Sequence, residues 1–204
     1  KGINKALKEY GGKILGGDCS KGNQKVISIT AFGIQGELEL RRNGCKPEDV
    51  ILTTGIHGLS KLGLLIQNNT NFDNNISINE RLVNKAIERF CRPKVYPNLL
   101  KTLLKTRSNK KIKKIGCTDS SDGLFQALQD LATSSKCKAI INYEKMPKYK
   151  NWPNGDKWDE YYFFGGEDYE LIFSLPKKWA KNLSKFDENI YEIGYFADGE
   201  PSIE

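Results

Sequence analysis

The sequence contains few of the residues on which several common site chemistries depend. It has one histidine, His57, and one methionine in 204 residues. A Ser-His-Asp triad or a histidine-based metal site has little support without a second histidine, so we interpret His57 as a solvent-facing loop residue. The five cysteines lie at least 20 residues apart without a CxxC pair, which argues against a disulfide framework and a zinc knuckle. This use of cysteine is typical of a reducing compartment, and we expect the protein to be cytoplasmic.

Long apolar runs are also absent. The longest, residues 62–66, has five residues, whereas a membrane-spanning helix needs about 20, so we expect no membrane partner. The net charge of +7 would suit a polyanion, but only six of the 32 basic residues are arginines, the residue preferred for bidentate phosphate and base contacts. We therefore expect no nucleic-acid partner. A non-catalytic nucleic-acid-binding module that uses residues 105–114 stays open as an alternative.

The hydrophobic periodicity predicts an α/β (α+β) fold. Apolar positions at helical spacing predict helices over residues 3–10, 59–67, 79–91, 124–131 and 177–183. β-Branched and aromatic stretches predict strands over residues 25–34, 49–54, 112–117, 139–143, 169–174 and 190–193. We expect loops or linkers at residues 68–75 and 105–114. Polar residues 37–47 are interpreted as a connection between residues 1–36 and a C-terminal α/β domain, residues 48–204.

Three segments combine glycine with carboxylates beside predicted strands, namely residues 16–18 (GGD), 119–123 (DSSDG) and 165–171 (GGEDYEL). Each has a simpler interpretation, because Gly-Gly-Asp suits a β-turn and Asp or Ser before a helix is a good N-cap. Glycine also lets a backbone approach a ligand closely, and carboxylate oxygens suit Mg²⁺. No GxxxxGK[ST] loop is present, so the three segments together suggest a polyanionic ligand held through Mg²⁺.

Arg41 and Arg42 are the only adjacent arginines, and they lie at the predicted junction between domains. They could simply be solvated surface residues. A guanidinium at such a junction could equally contact a nucleotide phosphate or base.

The order of these motifs resembles the thiamine-monophosphate kinase family. The resemblance covers nearly the whole chain and rests on residues 16–22 (GGDCSKG), 40–49 (LRRNGCKPED), 54–55, 58–60, 63–64, 119–123 and 165–171. It implies a domain of the aminoimidazole ribonucleotide synthetase-like type with a mixed sheet. The implied reaction is ATP-dependent phosphorylation of thiamine monophosphate to thiamine diphosphate, by Mg²⁺-assisted in-line transfer. Another ATP-dependent synthetase of the same superfamily is the alternative.

The resemblance also implies roles for particular residues. By similarity, several Mg²⁺ ions would be held by Asp18, Asp119 and Asp122. ATP would be contacted by Gly17, Asp18, Arg42 and Ser121. Glu167 would contact the substrate. No separate catalytic side chain is assigned, because phosphoryl transfer depends mainly on positioning and charge neutralisation.

The sequence differs from the family pattern in several places. Cys19 replaces a threonine and Ser120 replaces an aliphatic residue, both beside expected ligands. The family's N-terminal segment, with its Asp-rich motif, has no counterpart. We therefore expect residues 1–36 to be the C-terminal remnant of an N-terminal ATP-binding and dimerisation domain, and the 204-residue chain to be inactive alone. The full-length protein is expected to be a homodimer.

Overall fold

The structure is a computed structural model that describes residues 2–68, 78–96 and 98–204. The chain divides into two compact units, Lys1–Gln35 and Gly36–Glu204. No helix of the described residues is long and apolar enough to cross a membrane.

The first unit contains helix α1, Gly2–Tyr10, which confirms the helix predicted over residues 3–10. The strand predicted over residues 25–34 is wrong, because no strand is present in the described part of this unit. Val26, Ile29 and Phe32 are all more than 70% exposed. A strand needs a neighbour to satisfy its backbone N–H and C=O groups, so β-branched composition alone does not form one.

The second unit is built on one six-stranded mixed sheet. Its strands are β1 (Glu39–Arg41), β2 (Val50–Thr53), β3 (Lys114–Asp119), β4 (Lys138–Ile141), β5 (Leu171–Leu175) and β6 (Tyr191–Ala197). Their order across the sheet is β1-β3-β5-β2-β6-β4. Strands β1 and β3 are parallel, and the other pairs are antiparallel. The predicted α/β (α+β) class is therefore confirmed. The short strand β1 lies within the stretch predicted as a connection.

Six helices accompany the sheet within the described residues of the second unit. They are α2 (Leu59–Gln67), α3 (Glu80–Cys91), α4 (Leu99–Thr106), α5 (Leu124–Ser135), α6 (Asp156–Phe164) and α7 (Lys177–Phe186). Helix α4 overlaps the stretch predicted as a basic linker. Helix α6 was not predicted either, because its run of four aromatic residues obscures helical periodicity. Of the predicted loop over residues 68–75, all but residue 68 lies outside the described residues.

Both faces of the sheet carry a hydrophobic core. In the central strand β2, Ile51 packs with residues of α2, α3, α5 and α6 on one face. The next residue, Leu52, belongs to the cluster on the other face, which includes Phe173 and Trp179. Successive side chains of a strand point to opposite faces, and every residue of β2 is buried. This double-sided core fixes the sheet edge at which the functional motifs lie.

Candidate functional site at the carboxyl end of strand β3

Two of the three glycine-acid motifs meet at one edge of the sheet. Strand β3 ends at Asp119, which pairs with Leu171 at the start of the antiparallel strand β5. The segment that follows β3 and the segment that precedes β5 are therefore neighbours. The sequence order separates these segments by more than 40 residues, and the sheet brings them together.

Backbone hydrogen bonds join these two segments. The Ser120 N–H donates to the Glu170 carbonyl over 2.9 Å, and the Glu167 N–H donates to the Ser121 carbonyl over 2.8 Å. The Ser120 hydroxyl oxygen accepts from the Glu170 N–H at 3.1 Å and is fully buried. The Ser120 side chain therefore forms a hydrogen bond inside the loop packing.

Glycine is required where the two segments touch. A Cβ atom added to Gly166 would lie 2.4 Å from the Ser121 carbonyl oxygen, a distance that real Cβ atoms do not show. Gly123, which precedes α5, has φ of 98°, a backbone conformation that other residues rarely adopt. The glycines of both motifs therefore serve close backbone packing.

The three acidic residues of the motif at residues 165–171 have separate roles. The Asp168 carboxylate is buried and accepts from the Gly58 N–H at 2.6 Å and the Ser60 N–H at 2.9 Å. These N–H groups lie at the start of α2, where helix donors have no partner within the helix. Burial raises the pKa of Asp168 to about 6. Asp168 thus caps the N-terminus of α2 although it is distant in sequence, and its carboxylate is not available to a ligand.

Glu170 is also structural. It forms a buried ion pair with Arg89 of α3 and accepts from the Thr54 hydroxyl at 2.6 Å. Arg89 in addition donates to the Asp168 carbonyl at 3.3 Å. Removing one partner of such a pair would leave an uncompensated buried charge. This network ties α3 and the end of β2 to the motif.

Glu167, in contrast, is exposed. Its carboxylate accepts from the Tyr169 hydroxyl at 2.6 Å, and this hydrogen bond is the main cause of the raised pKa of Tyr169. The φ angles of Glu167 and Tyr169 are 68° and 54°, in the left-handed region that non-glycine residues seldom occupy. Such backbone conformations persist only where their surroundings enforce them, and they cluster at functional sites.

Asp119 and Asp122 are exposed beside Glu167. Both negative charges contribute to the raised pKa of Tyr169, which indicates that they lie near its ring. No side chain or backbone group among the described residues forms a hydrogen bond or ion pair with either carboxylate. These residues also contain no group of three or more His, Cys, Asp or Glu that could hold a metal. Two free carboxylates nevertheless fit Mg²⁺, which proteins commonly bind through one or two carboxylates completed by substrate phosphates and water.

Arg42 belongs to the same edge. It follows β1, the parallel neighbour of β3, in a 3-10 turn, Arg42–Gly44. Its Nε donates to the Thr118 hydroxyl oxygen at 3.3 Å, and its Nη1 lies 3.1 Å from Asp130 of α5. Thr118 immediately precedes Asp119, so the guanidinium lies beside the strand end that carries the candidate metal ligands.

Gly17 and Asp18 lie in the first unit. Both are exposed, and the Asp18 carboxylate accepts from the N–H of the next residue, Cys19, at 2.8 Å. The structure thus brings Arg42, Asp119, Ser121, Asp122 and Glu167 to one edge. The functional roles of all the candidate site residues, including Gly17 and Asp18, stay predictions.

A cavity of about 200 Å³ opens beside this edge. It is lined by Thr54, Gly55, Ile56, Leu59, Lys85, Arg89, Tyr149, Glu170, Asn189 and Tyr191. Both cations of this lining already have acidic partners, Arg89 with Glu170 and Lys85 with Glu88.

His57 differs from its prediction. It is fully buried, with Nε2 at 2.9 Å from the Thr53 hydroxyl oxygen, and burial lowers its pKa to about 3. The buried roles of Asp168 and Glu170 were also not predicted. The alternation of an extended chain could not have indicated these roles, because Glu167 and Tyr169 have left-handed φ angles.

The fold and the motifs at this edge agree with one known family of domains. Residues 46–203 match the family described as AIR synthase related protein, C-terminal domain. The chain belongs to this family, and the predicted superfamily is confirmed.

Particular relatives narrow the class. Thiamine-monophosphate kinase of Prochlorococcus marinus is 40% identical over 97% of this chain and 60% of its own length. Thiamine-monophosphate kinase of Nitrosopumilus maritimus is 32% identical over 99% of this chain and 62% of its own length. A solved structure, AaThiL complexed with AMPPCP and TMP, matches with 28% identity and a TM-score of 0.61 over 80% of this chain and 50% of that one. The resemblance inferred from the motifs is confirmed, and the chain spans about three fifths of the length of these curated relatives.

Proposed function

We propose that this chain contributes to ATP-dependent phosphorylation of thiamine monophosphate to thiamine diphosphate. The observation that carries the proposal is the junction of residues 119–123 with residues 165–171. The junction leaves Asp119, Asp122 and Glu167 exposed at one edge while it buries the other acids of the two motifs. The relatives named thiamine-monophosphate kinase, and the related structure with an ATP analogue and TMP, support the choice of substrates.

Arg42 and Ser121 bind the phosphates of ATP in this proposal. The guanidinium presents N–H donors in a planar fork that matches phosphate oxygens. Ser121 lies between the two exposed aspartates, at the start of the turn into α5, where the first helical N–H groups favour an anion. The roles of Gly17 and Asp18 of the first unit in ATP binding stay predictions from the resemblance.

Asp119 and Asp122 would hold Mg²⁺. When bound there, the metal neutralises the charge of the phosphates between which the phosphoryl group passes. The exposed positions of Asp119 and Asp122, without described partners, support this assignment. Their backbone is fixed by strand β3 and the Ser120 hydrogen bonds, so the carboxylates need little reorganisation to bind.

Glu167 contacts thiamine monophosphate in this proposal. Its carboxylate is an acceptor held by the Tyr169 hydroxyl but open to solvent. A charged acceptor suits the donor groups of an aminopyrimidine ring. We also propose that the complete protein is a homodimer and works in the cytoplasm.

The test, made on the full-length protein that contains this chain, is formation of thiamine diphosphate and ADP from thiamine monophosphate and ATP, with binding of both ligands measured in parallel. Thiamine, which lacks the acceptor phosphate, serves as the control substrate. We expect ADP formation only with thiamine monophosphate and Mg²⁺. Phosphorylation or ATP hydrolysis that depends on another small molecule, and not on thiamine monophosphate, would contradict the proposal.

A further inference from the structure

Arg42 begins a short turn on the surface, and its side chain is 59% exposed. An unrestrained arginine samples many rotamers and loses that freedom when it binds a phosphate. The contacts that hold Arg42 in the ligand-free chain therefore affect how well it can bind.

Helix α5 holds Arg42 at two points. The Ser135 hydroxyl donates to the Arg42 carbonyl over 3.0 Å and accepts from the Cys45 N–H at 3.1 Å, which fixes the turn. Asp130 lies five residues before Ser135 in α5. Its carboxylate pairs with Nη1 of the Arg42 guanidinium at 3.1 Å. Backbone and side chain of Arg42 are thus anchored to the same helix.

Asp130 is itself fixed. Its Oδ1 accepts from the Gln126 side chain at 2.7 Å, one turn earlier in α5, while its Oδ2 faces Arg42. The side chain of Asp130 is only 28% exposed. Because its two carboxylate oxygens have separate partners, Asp130 holds the Arg42 guanidinium in one orientation.

The remaining donors of Arg42 stay available. A guanidinium has five N–H groups, of which Thr118 takes the one on Nε and Asp130 takes one on Nη1. Three N–H groups are left, at the strand end that carries Asp119. The pair with Asp130 therefore orients the guanidinium without using up its capacity for phosphate.

We propose that Asp130 is a positioning residue that holds the Arg42 guanidinium ready for the nucleotide phosphates. The inference rests on the proposed function, since it assumes that Arg42 binds ATP. An ion pair whose arginine is largely exposed adds little to stability, so an effect of Asp130 on nucleotide binding would not follow from a purely structural role.

The experiment measures the affinity of the 204-residue chain for AMPPCP with Mg²⁺ by calorimetry. The variants are Asp130→Asn, Arg42→Ala, the double variant and Asp130→Glu. Lys138→Gln is the matched control, because it removes another ion pair, with Glu204, on β4 at the opposite end of the strand order. Thermal melting of every variant accompanies the titrations.

We expect Asp130→Asn to weaken binding about three- to tenfold and Arg42→Ala at least about tenfold. The double variant should match Arg42→Ala within about twofold, because Asp130 acts only through Arg42. Asp130→Glu should recover most of the affinity, Lys138→Gln should leave it unchanged, and Asp130→Asn should shift the melting temperature by less than about 2 °C.

Unchanged affinity in Asp130→Asn beside a loss in Arg42→Ala would overturn this inference alone. An additional loss in the double variant beyond Arg42→Ala would do the same. No binding of AMPPCP with Mg²⁺ by the unaltered chain would contradict the nucleotide site and this inference together. NMR of the Arg42 Nη1–H groups, one of which faces Asp130, provides a readout without nucleotide. Their exchange with water should be slow in the unaltered chain and faster in Asp130→Asn, and equal exchange in both would also overturn the inference.

Discussion

The backbone N–H of Glu167 donates a hydrogen bond to the carbonyl oxygen of Ser121 over 2.8 Å. This bond joins the residue proposed to contact the substrate to the residue proposed to contact ATP. The two substrates of a phosphoryl transfer must be held in register, since small displacements of the reacting groups reduce the rate. A single backbone contact therefore connects the two halves of the proposed site.

The aspartates of the first segment can be tested with isosteric variants. We expect Asp119→Asn and Asp122→Asn each to weaken binding of AMPPCP with Mg²⁺ by about tenfold or more, because each removes a charge that would hold the metal. The fold should persist, with a melting temperature within about 2 °C of the unaltered chain, since both side chains are exposed.

Asp198→Asn is the matched control, because Asp198 is an exposed aspartate that directly follows the end of β6 and belongs to none of the three motifs. The affinity of this variant for AMPPCP with Mg²⁺ should equal that of the unaltered chain. Near-normal binding by both Asp119→Asn and Asp122→Asn at limiting Mg²⁺ would remove the metal assignment.

Glu167→Gln separates a substrate contact from a simple turn residue. A hydrogen bond to a charged acceptor is worth about 1.5 to 3 kcal/mol. We therefore expect the Kd for thiamine monophosphate to rise about ten- to a hundredfold, while the Kd for the ATP analogue stays the same. Tyr169→Phe, which removes the hydroxyl that holds Glu167, should show a smaller rise in the same direction.

Calorimetric titration with each ligand in turn measures this effect. An unchanged Kd for both ligands in Glu167→Gln would make residues 165–168 a turn without a binding role. A selective loss of nucleotide affinity would instead assign Glu167 to the ATP site.

Gly166→Ala tests the packing between the two segments. The added Cβ would lie 2.4 Å from the Ser121 carbonyl oxygen, so the backbones must separate. We expect a loss of about 1 to 3 kcal/mol in the free energy of unfolding, as for other overpacked sites. Urea denaturation gives this value, with Gly36→Ala as the control, because no atom lies within 4 Å of a Cβ added there. Equal stability of the two variants would show that the segments are not tightly packed.

His57 predicts a pH dependence of stability. Its folded pKa is lowered to about 3 by burial, from an unfolded value of 6.5. Below pH 6.5 the unfolded chain therefore binds a proton that the folded chain does not, so stability falls as the pH decreases from 6.5 toward 3. Between about pH 7.5 and about pH 5 this loss amounts to about 2 kcal/mol.

Urea denaturation at both pH values, on the unaltered chain and on His57→Gln, isolates this contribution. The variant should lose about 2 kcal/mol less on acidification. Asp168 contributes with the opposite sign, because its raised pKa favours the folded chain as pH falls, but it is present in both proteins. The same pH dependence in both would argue that His57 is not buried in its neutral form.

Local pattern was sufficient for most elements of the fold. Helix α2 begins and ends where the periodicity of residues 59–67 predicts, and β2 and β5 follow their apolar runs. The segment 25–34 has equally good β composition and forms no strand. The difference is pairing, since a strand exists only where another chain segment satisfies its backbone groups, and composition carries no record of that partner.

The sequence by itself determined which chemistry is present: glycines for close backbone approach, carboxylates for a cation and an arginine for phosphate. It could not determine which acids are free. Among Glu167, Asp168 and Glu170, only the first is exposed, because the N-terminus of α2 and Arg89 of α3 claim the other two. That division depends on elements more than 70 residues away in the chain. Desolvation at those contacts, a property of the packed structure alone, decides which carboxylate can meet a ligand.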